Sequence, residues 1–186
     1  MAPKIAKLWP VNGSADVVGL KILYEPFTWI STTPDQYLGA RSRTFQQPMF
    51  SRAGDKFSSL WLPVLVRRAQ DLPGVAPLTK LQKEALDTVD AMAESPAFIL
   101  DMMFEPGDMQ FVNNHVLVHG RTAFEDYDEI EQRRHLLRLW LSVPNSRPLD
   151  PAMARTWGSV EAGALRGGIG AECGKRTYRS FEQAPN

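Results

Sequence analysis

Ten residues in the last third of the chain constrain its fold more than any other stretch. From Arg134 to Val143 the sequence reads RHLLRLWLSV. Side chains alternate across a strand, so Arg134, Leu136, Arg138 and Trp140 would share one face. His135, Leu137, Leu139 and Leu141 would share the other, which is almost wholly apolar and suited to packing inward. The segment reads as the strongest strand of the protein. Two guanidinium groups two positions apart on the first face are costly to bury unless they meet anions, and a planar guanidinium matches a carboxylate with two hydrogen bonds. A dicarboxylate or anionic-substrate site is one reading of that face. A solvated edge strand, salt-bridged to Glu125, Asp126, Asp128 or Glu129, is the other.

The rest of the chain reads as short strands around one clear helix. Residues 1–16 hold Pro3, Pro10 and Gly13 with no period and read as an irregular terminus. Val17 to Tyr24 is short and apolar, a strand or the end of a helix. Phe27 to Ser31 is aromatic and β-branched and reads as a strand. Residues 32–45 read as a loop, and Gln47 to Ser51 as a short strand. Ala53-Gly54-Asp55 turns into a strand over Lys56–Leu62, forming a hairpin. Pro63 to Gln70 suits a short helix. Thr79 and Gln82 then form a capping-box pair. Leu78, Leu81, Ala85, Val89 and Met92 follow at helical spacing until Ser95-Pro96 ends the helix. Ala97 to Phe104 is a strand candidate, Glu105-Pro106-Gly107-Asp108 a turn, and Met109–Asn113 and His115–His119 two further strand segments. Gly120 to Gln132 reads as an acidic loop. Beyond Trp157 the chain is rich in glycine.

Composition narrows the functional classes. Lys+Arg and Asp+Glu both number 21, which argues against nucleic acid as the partner, because phosphate binding needs a basic excess or stripe. The single cysteine, Cys173, cannot form an internal disulfide and has no nearby histidine, so it reads as a bystander thiol. No run approaches the roughly 18 apolar residues of a membrane span. These features lead us to expect a cytoplasmic protein with no nucleic-acid and no membrane partner.

All three histidines, His115, His119 and His135, fall between Pro106 and Val143. His115 shares the parity of His119 on a straight strand, but two imidazoles alone do not make a strong metal site. The pattern as a whole says more. PGDMQFVNNHVLVHGRTAFED followed by RRHLLRLWL resembles the C-terminal half of the taurine dioxygenase (TauD/TfdA) family, non-haem Fe(II), 2-oxoglutarate-dependent oxygenases. The resemblance runs from about Leu23 to Gly168 by order of elements and is specific from Pro106 to Val143. It implies a mainly β (α+β) fold, the double-stranded β-helix or jelly roll, with one or two packed helices. It further implies that His119, in the context HGRTAF, is an iron ligand, that Arg134 binds the far carboxylate of 2-oxoglutarate, and that Arg138 lies towards the substrate. His115 and His135 match no ligand position and are read as structural. The implied reaction is hydroxylation of a small, anionic organic substrate coupled to decarboxylation of 2-oxoglutarate. Family members act on sulfonates, aryloxy acids, betaines and amino-acid derivatives.

One departure from the family pattern is large. The other two ligands of the facial triad come from an H-x-D or H-x-E motif on an earlier strand. Here the first histidine is His115, and Leu117, Arg121 and Leu137 stand two residues after the three histidines. The expectation is therefore a C-terminal fragment with an incomplete barrel. Residues 17–160 would be the partial domain and 161–186 a Gly-rich, partly disordered tail. A truncated gene explains this best. The competing accounts are a degenerate paralogue acting as a non-catalytic half-barrel binding module, and a homo-oligomer or partner chain that completes the barrel.

Overall fold

The computed structural model describes residues 3–7, 20–32, 42–121, 125–133 and 135–166. Its best-packed part is built from residues 20–94. A 3-10 turn at Ile22–Tyr24 leads into β2 (Phe27–Ile30), which pairs antiparallel with β3 (Thr44–Gln47). A hairpin of β4 (Phe50–Ala53) and β5 (Lys56–Ser59) follows. Its tight turn needs a left-handed residue, and Gly54 supplies it at φ 59°. The strand expected at Gln47–Ser51 is thus two strands, broken at Pro48 because proline cannot donate to a ladder. The strand expected over Lys56–Leu62 stops at Ser59, and helix α1 (Pro63–Ala69) begins four residues later.

Helix α2 (Lys80–Glu94) starts at the expected capping box. The Gln82 backbone N–H donates to Thr79 Oγ1 at 3.2 Å, and the Thr79 N–H donates to Gln82 Oε1 at 3.0 Å. Two otherwise orphaned donors are satisfied in this way. Ala85, Leu86 and Val89 are buried. Leu81, expected on that face, is 42% exposed, and Leu86 takes its place. The buried stripe is thus rotated towards Leu86.

That core joins Leu23, Phe27, Trp29, Met49, Phe50, Phe57, Val66 and the buried face of α2. Each fully buried large side chain contributes about 1.5–3 kcal/mol. Edge-to-face rings set the geometry, with Phe50 and Phe57 centroids 5.2 Å apart at 77°. The Trp29 indole N–H donates to the Gln47 carbonyl at 2.7 Å, so the buried ring leaves no unpaired donor.

A second sheet has the order β6-β1-β7, all antiparallel, from β6 (Ile99–Asp101), β1 (Pro3–Lys7) and β7 (Leu117–Arg121). Ile5 pairs with Leu100 on one side and with His119 on the other. The absence of a period in residues 1–16 gave no hint of β1. Every strand pair is antiparallel, as a jelly roll requires, but the described strands form three separate small sheets in a mixed α/β arrangement. No helix among the described residues is long and apolar enough to cross a membrane.

Two expected strands do not form. Met109–Asn113 is irregular, with Met109 and Phe111 83% and 79% exposed. Residues 135–143 are also irregular. No backbone group from residue 135 to residue 142 has a backbone partner among the described residues. A strand exists only as half of a pair, so an alternating sequence with no neighbour stays unassigned whatever its propensity. The Glu105–Asp108 turn does form: Asp108 N–H donates to Glu105 O at 3.1 Å, and Gly107, at φ 97°, takes the position that needs a positive φ.

Candidate functional site

β7 carries the central candidate. Val116 and Val118 pack against the core, and alternation then turns Leu117 and His119 to the opposite side. His119 is among the exposed residues of the sheet. Partial burial of its ring, followed by the positive charge of Arg138, holds its pKa below the ordinary histidine value. Both effects favour the neutral imidazole, the form that binds a metal. Arg138 is exposed and makes no salt bridge among the described residues. The structure therefore brings two of the expected site residues, His119 and Arg138, within electrostatic reach of each other. Arg134 lies outside the described residues, as does Cys173.

His115 is held differently. Its carbonyl accepts from Ser59 N–H at 2.9 Å and from Ser59 Oγ at 3.2 Å, which ties it to the end of β5. Its own N–H donates to Asn113 Oδ1 at 3.1 Å. Its ring lies 5.8 Å from that of Trp157, the last residue of helix α3 (Ala154–Trp157). Burial, then the charges of Arg147 and Arg166, push its pKa down to about 4. These arginines are spent on the backbone. Arg147 donates to Phe57 O at 2.6 Å, and Arg166 donates to Ser159 O at 2.9 Å, to Val160 O at 3.1 Å and to Glu161 O. His115 thus sits in a packed, positively charged joint between β5 and residues 147–166. No local motif signals this joint, because its members lie 32 to 56 residues from His115. His135 is exposed and takes no part in either group.

Arg133 donates to the backbone oxygens of Tyr127 and Asp128, at 2.9 Å each. Among the described residues no group of three or more His, Cys, Asp or Glu side chains could hold a metal ion. Non-haem iron needs two imidazoles and one carboxylate on one face. The described residues do not fit a complete iron site.

A protein-family model described as "Taurine catabolism dioxygenase TauD, TfdA family" matches residues 32–140. Over 86 residues the chain is 40% identical to the FR-33289 synthase of Streptomyces rubellomurinus, covering 45% of this chain and 25% of that protein. Over 65 residues it is 43% identical to the taurine hydroxylase-like protein SAT17 of Stachybotrys chartarum, covering 35% of this chain and 16% of that protein. The chain thus spans about a quarter or less of the length of these relatives.

Proposed function

The chain belongs to the TauD/TfdA family, and we propose that it forms part of a cytoplasmic Fe(II)- and 2-oxoglutarate-dependent oxygenase acting on a small, anionic organic substrate. In this reading His119 supplies one iron ligand, Arg134 holds the distal carboxylate of 2-oxoglutarate, and Arg138 faces the substrate. The fold around them is an incomplete double-stranded β-helix. The observation that carries the proposal is the juxtaposition of His119, on β7, with Arg138 from the irregular segment: the charge of Arg138 bears on His119, and both lie inside the matched span.

The chain's own contribution is binding and orientation. The neutral His119 imidazole is free to donate its lone pair to a metal. A guanidinium beside it attracts a carboxylate to the same place and offers it two parallel hydrogen bonds. Iron would supply the oxidising chemistry, but with one ligand in place no reaction step is assigned to this chain. The absence of a three-ligand group among the described residues favours a second reading, a non-catalytic half-barrel that binds carboxylates.

Anaerobic equilibrium dialysis with Fe(II), alone and with 2-oxoglutarate, tests the proposal. We expect weak iron binding that His119→Ala removes, weaker 2-oxoglutarate binding in Arg134→Ala, and no succinate from the isolated chain. Iron binding untouched by His119→Ala would refute the ligand assignment. Carboxylate binding that needs Arg134 but not iron would support the binding module. Stoichiometric succinate, abolished by His119→Ala, would show that the chain completes the site by itself.

A further inference from the structure

Arg138 stands beside His119, yet among the described residues no hydrogen bond holds it there. None of residues 135–141 makes a hydrogen bond to any described residue. On the N-terminal side, Arg133 bonds within its own exposed loop, to the carbonyls of Tyr127, Asp128 and Ile130, which sets local shape and not position. On the C-terminal side the first bonds are those of Ser142. Its hydroxyl donates to the Ala164 carbonyl at 3.1 Å and accepts from the Arg166 backbone N–H at 3.1 Å.

The stretch that receives Ser142 is itself seated on the core. Leu149 and Met153 are buried. Arg147 donates to the Phe57 carbonyl of β5, and Thr156 Oγ1 donates to Gln47 Oε1 of β3, both at 2.6 Å. The guanidinium of Arg166 donates to the carbonyls of Ser159, Val160 and Glu161, which closes residues 159–166 on themselves. The Trp157 ring lies 5.8 Å from that of His115, and His115 stands four residues before His119. These contacts make a closed circuit. It runs from His119 to His115, across to Trp157, along to Arg166, across to Ser142, and four residues back to Arg138. A circuit of this kind limits the separation of Arg138 and His119 with no direct bond between them.

We propose that Ser142 is the positioning residue for Arg138, and that residues 144–166 are the arm through which it holds this guanidinium beside His119. The role of Arg138 towards a substrate rests on the oxygenase reading; the anchor itself does not. Without the Ser142 hydroxyl, the next bond to the arm is that of the Gly163 N–H with the Ser146 carbonyl, at 3.0 Å. The free span back to Arg138 then doubles from four residues to eight. The local concentration of a tethered group falls roughly as the −3/2 power of tether length, so that of Arg138 at His119 should fall about threefold.

Backbone 15N relaxation and imidazole 13C NMR test this on the metal-free chain without 2-oxoglutarate. In the wild type the order parameter should be about 0.8 at Ser142 and stay above about 0.6 back to Arg138. Ser142→Ala should bring residues 138–141 below about 0.6, while the amides of α2 stay near about 0.85 and show that the body is folded. Ser142→Thr keeps the hydroxyl and should behave as wild type. So should Ser146→Ala, because the Ser146 hydroxyl has no hydrogen-bond partner among the described residues. The His119 Cε1 shift should move in the same direction in Arg138→Gln and in Ser142→Ala, and no further in the double variant than in Arg138→Gln. Equal order at Arg138 in wild type and Ser142→Ala, a threonine variant no better than alanine, or a double variant that shifts beyond Arg138→Gln would each overturn the proposal. Loss of order in Ser142→Ala, with iron binding that His119→Ala leaves untouched, would support the anchor and refute the oxygenase reading alone.

Discussion

His115 should make the stability of this protein depend on pH in a range where its carboxylates are still largely ionised. In the folded chain its pKa is about 4, against about 6.5 for an unperturbed histidine. Between these values the unfolded chain takes up a proton that the folded chain refuses. Stability contributed by the neutral ring is therefore complete above about pH 6.5 and falls as pH drops towards 4. Lowering the pH from about 7.5 to about 5 would cost about 2 kcal/mol if the whole shift were expressed. The ring is only partly buried, and solvent screening reduces the expected loss to about 1 kcal/mol. For a urea slope of roughly 2 kcal/mol per molar, the midpoint should fall by about 0.5 M. The assay is urea unfolding of wild type and His115→Gln at both pH values, read as the difference between their pH dependences, which cancels the shared carboxylate titration. Parallel curves would refute the reasoning. Arg147→Ala should shrink the difference without abolishing it, since the charge of Arg166 and the burial remain.

Two further expectations concern the backbone. Gly163 has φ 72°, and a Cβ built there would lie 2.7 Å from the Pro144 carbonyl oxygen, so Gly163→Ala should cost about 2–3 kcal/mol. Gly54→Ala faces open space and should cost about 1 kcal/mol, the left-handed penalty alone; equal losses in urea unfolding would show that the Pro144 contact is not felt. Thr79→Ala should lose about 1 kcal/mol, and a double-mutant cycle with Gln82→Ala should show coupling between the two caps. Additive losses would mean that the capping box is not formed in solution.

The parts of the fold that could be read from sequence are those whose cause is local. The capping pair Thr79 and Gln82, the Gly54 turn and the Glu105–Asp108 turn each need only a few neighbouring residues, and each forms where expected. Pro63 opens α1 for the same reason, as a first-turn residue whose missing N–H costs nothing. Strand limits were harder to read, because the end of a strand depends on where its partner ends. β3 starts at Thr44 inside an expected loop, since Ile30 is there to pair with it. β1 lacks any period because its role is set by two neighbours, β6 and β7, more than ninety residues away in sequence.

The same distinction separates the two histidines that lie four residues apart. His119 is singled out by its surroundings in the chain, HGRTAF and the arginine segment beyond it. The environment of His115 was not, because Arg147, Trp157 and Arg166 reach it only through the folded chain. The arginine segment lies between these cases. Its alternation predicts a strand that does not form, because pairing supplies the backbone hydrogen bonds that make a strand and no described residue supplies them. Six exposed apolar side chains beside an unpaired backbone are the physical cost of that missing neighbour. It falls on the segment that also carries Arg138, so whatever pairs with residues 135–143 also fixes the guanidinium whose charge reaches His119. The order of that strand and the competence of the site are, on this argument, one structural event.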